Sequence, residues 1–181
     1  GRGHGITRGR VTLFSNKCNQ WYDMLNVDDA QLAMIRRYDV SMVFQEANLL
    51  PWKSVAENIA FPLAIRGDTP AHIERRVLEV IEVVGLSRWA ARRPADLSGG
   101  MRQRVGLARA LATDAPILLM DEPFSALDPE MRAELQQELL RLQREFARTI
   151  VFVTHDRVEA ELLGTRVLHM KEGRILPLVV A

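Results

Sequence analysis

Apolar runs alternating with helix-like stretches predict an α/β protein built on a mainly parallel sheet. Three observations carry this reading. Val40 to Phe44, Ile117 to Met120 and Thr149 to Val153 are short runs of mostly branched or large apolar side chains, the composition of strands covered on both faces. Met131, Leu135, Leu139, Leu142 and Phe146 recur at helical spacing between the second and third runs. Each run also ends in polar chemistry, at Gln45, at Asp121-Glu122 and at His155, where open α/β sheets gather the residues that face a ligand.

In chain order, residues Gly1 to Arg10 are rich in Gly and Arg without periodicity and predict an irregular start. Val11 to Phe14 predicts a short strand, and Ser15 to Asn26 a loop. Trp21 and Tyr22 in that loop are expected to pack at least half buried, stacking on a base being the alternative. Asp28 or Asp29 can cap a helix running to Arg37, because an Asp side chain accepts the free N–H groups of a first turn. After the strand ending at Phe44, Asn48-Leu49-Leu50-Pro51-Trp52 reads as an exposed apolar loop of the kind that meets a partner.

Ser54 and Glu57 have capping-box spacing and open a helix to about Ile65, stopped by Arg66-Gly67-Asp68. Thr69-Pro70 opens the next, with Ile73, Val77, Val80, Ile81 and Val84 at helical spacing and Gly85 as its end. Residues 54 to 96 thus form a helical insertion in one domain spanning 1–181. Ser98-Gly99-Gly100 begins a helix that buries Val105, Leu107, Ala108 and Leu111, and Pro116 separates it from the strand Ile117 to Met120. Asp128-Pro129 opens the long amphipathic helix, whose Glu134, Glu138, Arg141 and Glu145 read as a solvated face. Beyond Thr149 to Val153, the pattern predicts a capped helix from Asp156 to Leu163 and a strand from Arg166 to Met170. Glu172-Gly173 then turns the chain into a last short strand.

Composition sets bounds. The chain has 181 residues, 48% hydrophobic and 26% charged, with a formal charge of +1, a profile of an ordered globular domain rather than a nucleic-acid-binding surface. A lone Cys18 forms no intrachain disulfide, which suits a reducing compartment. No apolar run approaches the roughly 18 residues needed to cross a bilayer.

The chemistry gathers in two places. Ser98, Gly99 and Gly100 put a hydroxyl and closely approachable backbone at a helix start, where free N–H groups and the dipole favour phosphate. A plain helix cap is the simpler account of the same residues. Asp121 and Glu122 end a buried strand, as expected of side chains delivered to a metal and a water. Phosphoryl transfer to water requires charge neutralisation, a metal and an oriented water, and little else.

In this order, Leu97-Ser98-Gly99-Gly100-Met101-Arg102-Gln103-Arg104 and Ile117 to Pro123 resemble the signature sequence and Walker B motif of the ATP-binding-cassette ATPases. Gln45, Ser125-Ala126-Leu127-Asp128 and Thr154-His155-Asp156 are similar to that family's Q-loop, D-loop and switch histidine. The resemblance runs from about residue 9 to 177. It implies that Asp121 holds Mg²⁺ together with Gln45, that Glu122 is the general base, and that His155 contacts the terminal phosphate. It further implies that Ser98, Gly99 and Gly100 reach ATP held by a second copy, while Asp128 joins the copies, beyond the helix-capping role its position already suggests. ATP and Mg²⁺ are the expected cofactors. The expected partners are a second ATPase subunit, a membrane-spanning permease and, indirectly, a substrate-binding protein; no nucleic acid is expected. The expected location is peripheral, on the cytoplasmic face of the inner membrane.

Gly106 to Asp114, Met120 to Asp128 and Arg132 to Gln136 look like the ATPase subunits of importers for glycine betaine, choline or proline betaine, with nitrate, sulfonate or taurine importers as the alternative. Ser125 favours the former, since the latter more often carry Gly there. The family's phosphate cradle, G-x-x-x-x-G-K-[ST], has no counterpart, because the sequence contains no Gly-Lys pair. The expectation is therefore of a chain lacking its N-terminal phosphate-binding portion and inactive alone, with a noncatalytic remnant as the alternative. The spacing from Gln45 to Ser98 suits a transporter's helical insertion, not the long coiled coil of repair cassettes.

Overall fold

The computed structural model describes residues 10–146 and 148–176, without the side chains at positions 142, 145 and 146. The irregular start expected over residues 1–9, and the roles expected of Leu142, Phe146 and Glu145, lie outside what is described.

The chain opens with a hairpin of β1 (Thr12–Ser15) and β2 (Gln20–Asp23), antiparallel with Thr12 opposite Asp23 and Ser15 opposite Gln20. The segment expected to be a loop is therefore half strand. Its turn is made by Asn19 at φ 52°, a left-handed conformation that Asn adopts readily. Tyr22 is buried, but Trp21 is 70% exposed, its ring tilted against that of Phe14 with centroids 5.4 Å apart, contrary to the packing expected of it. Buried Ser15 ties the hairpin to the next helix by donating to Asp39 Oδ2 at 2.7 Å.

Helix α1 (Asp29–Tyr38) is closed at its start by a capping box between Asp28 and Gln31. Strand β3 (Val40–Val43) leads to the loop of Gln45. Helix α2 (Val55–Arg66) begins with the expected Ser54–Glu57 capping box and stops at Gly67, left-handed at φ 83°. Helix α3 (Pro70–Val83) is capped by Thr69, and α4 (Gly99–Ala112) by Ser98. Strand β4 (Ile117–Asp121), helix α5 (Pro129–Phe146), strand β5 (Thr149–Val153) and helix α6 (Arg157–Leu163) follow. A two-residue hairpin, β6 (Met170–Lys171) and β7 (Arg174–Ile175), closes the described chain. The strand expected over Arg166 to Met170 shrinks to its last residue, because residues 166–169 join no ladder among the described residues.

β3, β4 and β5 form a parallel sheet in that order, as expected, with Ser41, Leu118 and Ile150 in one row and Val43, Met120 and Phe152 in the next. These rows face the core, where Val43, Leu118 and Met120 pack with Val55, Ile59 and Leu63 of α2, Val80 and Ile81 of α3, and Val105 and Leu111 of α4. The helical insertion and the sheet thus share one core. The opposite sheet face is open: Met42 is 42%, Val151 53% and Val153 59% exposed. On α5, Leu135 and Leu139 are buried as expected. Glu138 departs from its expected solvated role, being half buried and ion-paired with Arg141.

Candidate functional site

The site forms where the parallel strands end. β4 carries the chain to Asp121, which is exposed, and Glu122 then turns it sharply, in the left-handed region at φ 44°. The turn is held from three sides. The Glu122 N–H donates to the Val153 carbonyl at 3.0 Å, while the Ser125 N–H and hydroxyl both donate to the Glu122 carbonyl, at 3.3 and 3.0 Å. A strained backbone fixed this way aims one side chain. It aims the Glu122 carboxylate at His155, which leaves the end of β5: Nδ1 lies 3.1 Å from Oε1, an ion pair when the imidazole is protonated.

Behind His155 stands a polar cluster that sequence patterns do not announce. Glu159, 6% exposed in the first turn of α6, accepts the Thr154 hydroxyl at 2.7 Å and the Gln136 amide at 3.4 Å. Arg132 of α5 lies 3.8 Å from Glu159 and 3.9 Å from Asp156. Asp156 caps α6 as expected, accepting from the Val158 N–H at 2.8 Å, and its own N–H donates to Thr154 at 3.0 Å. The residues flanking His155 are therefore fixed, while its ring stays exposed.

Ser98, Gly99 and Gly100 sit elsewhere in the chain's own geometry. Ser98 Oγ accepts the Met101 N–H at 3.2 Å, the capping role. A Cβ on Gly100 would come within 2.7 Å of the Ala126 carbonyl oxygen, so glycine here allows the helix start to touch the turn leading to Asp128. A Cβ on Gly99 would meet nothing within 4 Å, which leaves that backbone open to an approaching anion. Asp128 is exposed and caps α5 through the Met131 N–H at 3.0 Å. The structure thus makes two groupings, Asp121-Glu122-His155 at the strand ends and Ser98-Gly100 beside the Ala126-Asp128 turn.

Gln45 lies just past β3, beside the end of β4, with its side chain exposed. The loop that follows is held by its backbone. Gln103, 3% exposed on α4, donates to the Phe44 carbonyl at 3.0 Å, and Arg109 on the same helix donates to those of Ala47 at 2.7 Å and Asn48 at 3.0 Å. Burial pulls the Arg109 guanidinium below the usual arginine range. From α2, the fully buried Asn58 accepts the Leu50 N–H at 2.8 Å and donates to the carbonyls of Leu50, Lys53 and Ser54. On this frame Trp52 projects, 66% exposed, whereas Leu49 and Leu50 are half buried. The sequence pattern gives Gln103 and Arg132 no role beyond membership of a family-like stretch, and it gives Asn58 and Glu159 none. The available signal was polar residues on helix faces that otherwise bury apolar ones.

Among the described residues no group of three or more His, Cys, Asp or Glu could hold a metal unaided. A single Asp is nonetheless a fitting ligand for Mg²⁺, which binds through one or two carboxylates with its nucleotide's phosphates and waters. A separate cavity of about 440 Å³, lined by Arg76, Glu79, Val80, Asp114 and Arg148, lies toward the strands' starting ends.

The family model described as ABC transporter matches residues 5–125. The chain belongs to the ABC transporter family. A dimeric ATP-binding cassette in a post-hydrolysis state, bound to ADP and Pi, superposes with a TM-score of 0.77 at 36% identity, covering 86% of this chain and 66% of that one. The fold is thus that of an ABC ATPase cassette. The glycine betaine/proline betaine transport ATP-binding protein ProV of Escherichia coli is 44% identical over 170 residues, 94% of this chain and 41% of that protein. The taurine import ATP-binding protein TauB of Rhizobium johnstonii is 48% identical over 140 residues, 76% of this chain and 53% of that protein. The cassette described here therefore spans about half or less of these two curated relatives. No helix among its described residues is long and apolar enough to cross a membrane.

Proposed function

We propose that the cassette is the ATP-hydrolysing part of an importer for glycine betaine or a related quaternary amine. The observation that carries the chemistry is the Glu122–His155 contact at 3.1 Å, one residue beyond Asp121 at the end of a parallel sheet. Asp121 would hold Mg²⁺, with Gln45 as a second oxygen ligand from the neighbouring strand's end. Bound Mg²⁺ and ATP would supply the charge neutralisation and the scissile phosphoanhydride. Glu122 would accept a proton from the attacking water, and His155 would hold the carboxylate in line and contact the terminal phosphate. Ser98, Gly99 and Gly100 would meet the nucleotide of a second copy, with Asp128 beside them.

The remaining partners follow from the surface and from relatives. Trp52 on its anchored loop is the candidate docking point for a membrane permease, itself served by a substrate-binding protein, on the cytoplasmic face of the membrane. The 44% identity to a betaine system, extending over 94% of the chain, supports the solute. The similarity to a taurine importer favours a second reading, uptake of a sulfonate. In a host stripped of its own betaine and taurine importers, the complete system should restore uptake of labelled glycine betaine and not taurine. Taurine uptake alone would reverse the assignment, and uptake unaffected by Glu122→Gln would remove the ATPase role.

A further inference from the structure

The bonds that α4 makes to the backbone on both sides of Gln45 have a functional reading. We propose that Gln103 and Arg109 are positioning residues that clamp the Gln45 loop to α4, so that Gln45, the Trp52 loop and the Ser98–Gly100 turn move as one body. This rests on the ATPase reading only for the role given to Gln45.

The geometry is one-sided and complete. Gln103, Gly106 and Arg109 are spaced three apart and share one face of α4. Gln103 holds the Phe44 carbonyl before Gln45, and Arg109 holds the Ala47 and Asn48 carbonyls after it. Between them Gly106 presses on Ala47, where even a methyl group would approach the Ala47 side chain to 3.3 Å. Asn58 fixes the continuation from Leu50 to Ser54 onto α2. Between the Phe44 and Ala47 carbonyls that α4 holds, Gln45 and Glu46 receive none of these bonds. A fork-shaped guanidinium reaching two successive carbonyls fixes direction as well as distance, which a single ammonium cannot do. A displacement applied at Trp52 is therefore transmitted to α4, whose first turn carries Ser98, instead of being absorbed in the loop.

Amide hydrogen exchange on the 181-residue chain, read with the side-chain amide resonances of Gln45, tests this. Arg109→Met should raise exchange at least tenfold at the Leu50 amide, which Asn58 holds, and shift the Gln45 side-chain signals, with exchange in β4 and β5 unchanged. Arg109→Lys, keeping one donor, should recover part of both effects. If Arg109→Met does not fold, Gln103→Met is read in the same way at residues 44–46. Uniform loosening of the whole chain, or Gln45 signals indifferent to both substitutions, would overturn the clamp. Failure of ATP hydrolysis or betaine uptake in the complete system, with the local loosening still present, would count against the ATPase reading and leave the clamp standing.

Discussion

Glu122 occupies a left-handed conformation at φ 44° that costs a side-chain-bearing residue about 1–2 kcal/mol. Its backbone bonds to Val153 and Ser125 do not depend on the side chain. Glu122→Gly should therefore leave stability unchanged or raise it by about 1 kcal/mol while removing the proposed base. A loss above that size in urea unfolding would mean that the carboxylate itself supports the fold. Glu159 is the opposite case. Its buried carboxylate accepts from Thr154 and Gln136 and faces Arg132, so Glu159→Leu should cost about 2–4 kcal/mol, leaving those groups without an acceptor. Asp121, Glu122 and His155 were legible because an apolar run ending in a charged or imidazole side chain is a pattern in one dimension. Glu159, Gln136 and Arg132 were not, since they come from two helices and meet only when those helices pack.

At the scale of elements, caps carried the most readable information. Ser54–Glu57, Thr69-Pro70, Ser98 and Asp156 each act within four residues of themselves, so spacing alone places them. Gly67 closes α2 at φ 83°, and Gly67→Ala should lower stability by about 1 kcal/mol in the same unfolding measurement. Pairing was the unreadable part. β2 exists because Gln20 to Asp23 find Thr12 to Ser15 across a turn, and residues 166–169 fail to be strand because no ladder receives them. Asn48 to Trp52 has the composition of an exposed apolar partner surface, yet the backbone of this loop is bound by side chains from two helices. Asn58→Ala should thus destabilise by about 2–3 kcal/mol, whereas Trp52→Ala, removing a 66% exposed ring, should leave unfolding unchanged. If Trp52→Ala also destabilises by more than about 1 kcal/mol, the ring serves the fold and not a partner.

For the whole molecule, the open face of the sheet decides behaviour. Strands of parallel sheets are ordinarily covered on both faces, but Met42, Val151 and Val153 present a contiguous apolar surface, and β5 pairs on one side only among the described residues. The 181-residue chain should self-associate in sedimentation experiments, and Val151→Lys with Val153→Lys should reduce that association without lowering the unfolding midpoint. The sequence also lacks any Gly-Lys pair to cradle phosphates, so the chain alone is expected to release none from ATP. The direct test of the catalytic assignment is phosphate release by this chain joined to a segment that carries G-x-x-x-x-G-K-[ST]. The assignment predicts Mg²⁺-dependent release that falls by about 10² to 10⁴ on Glu122→Gln. Release that persists undiminished after Glu122→Gln would contradict it.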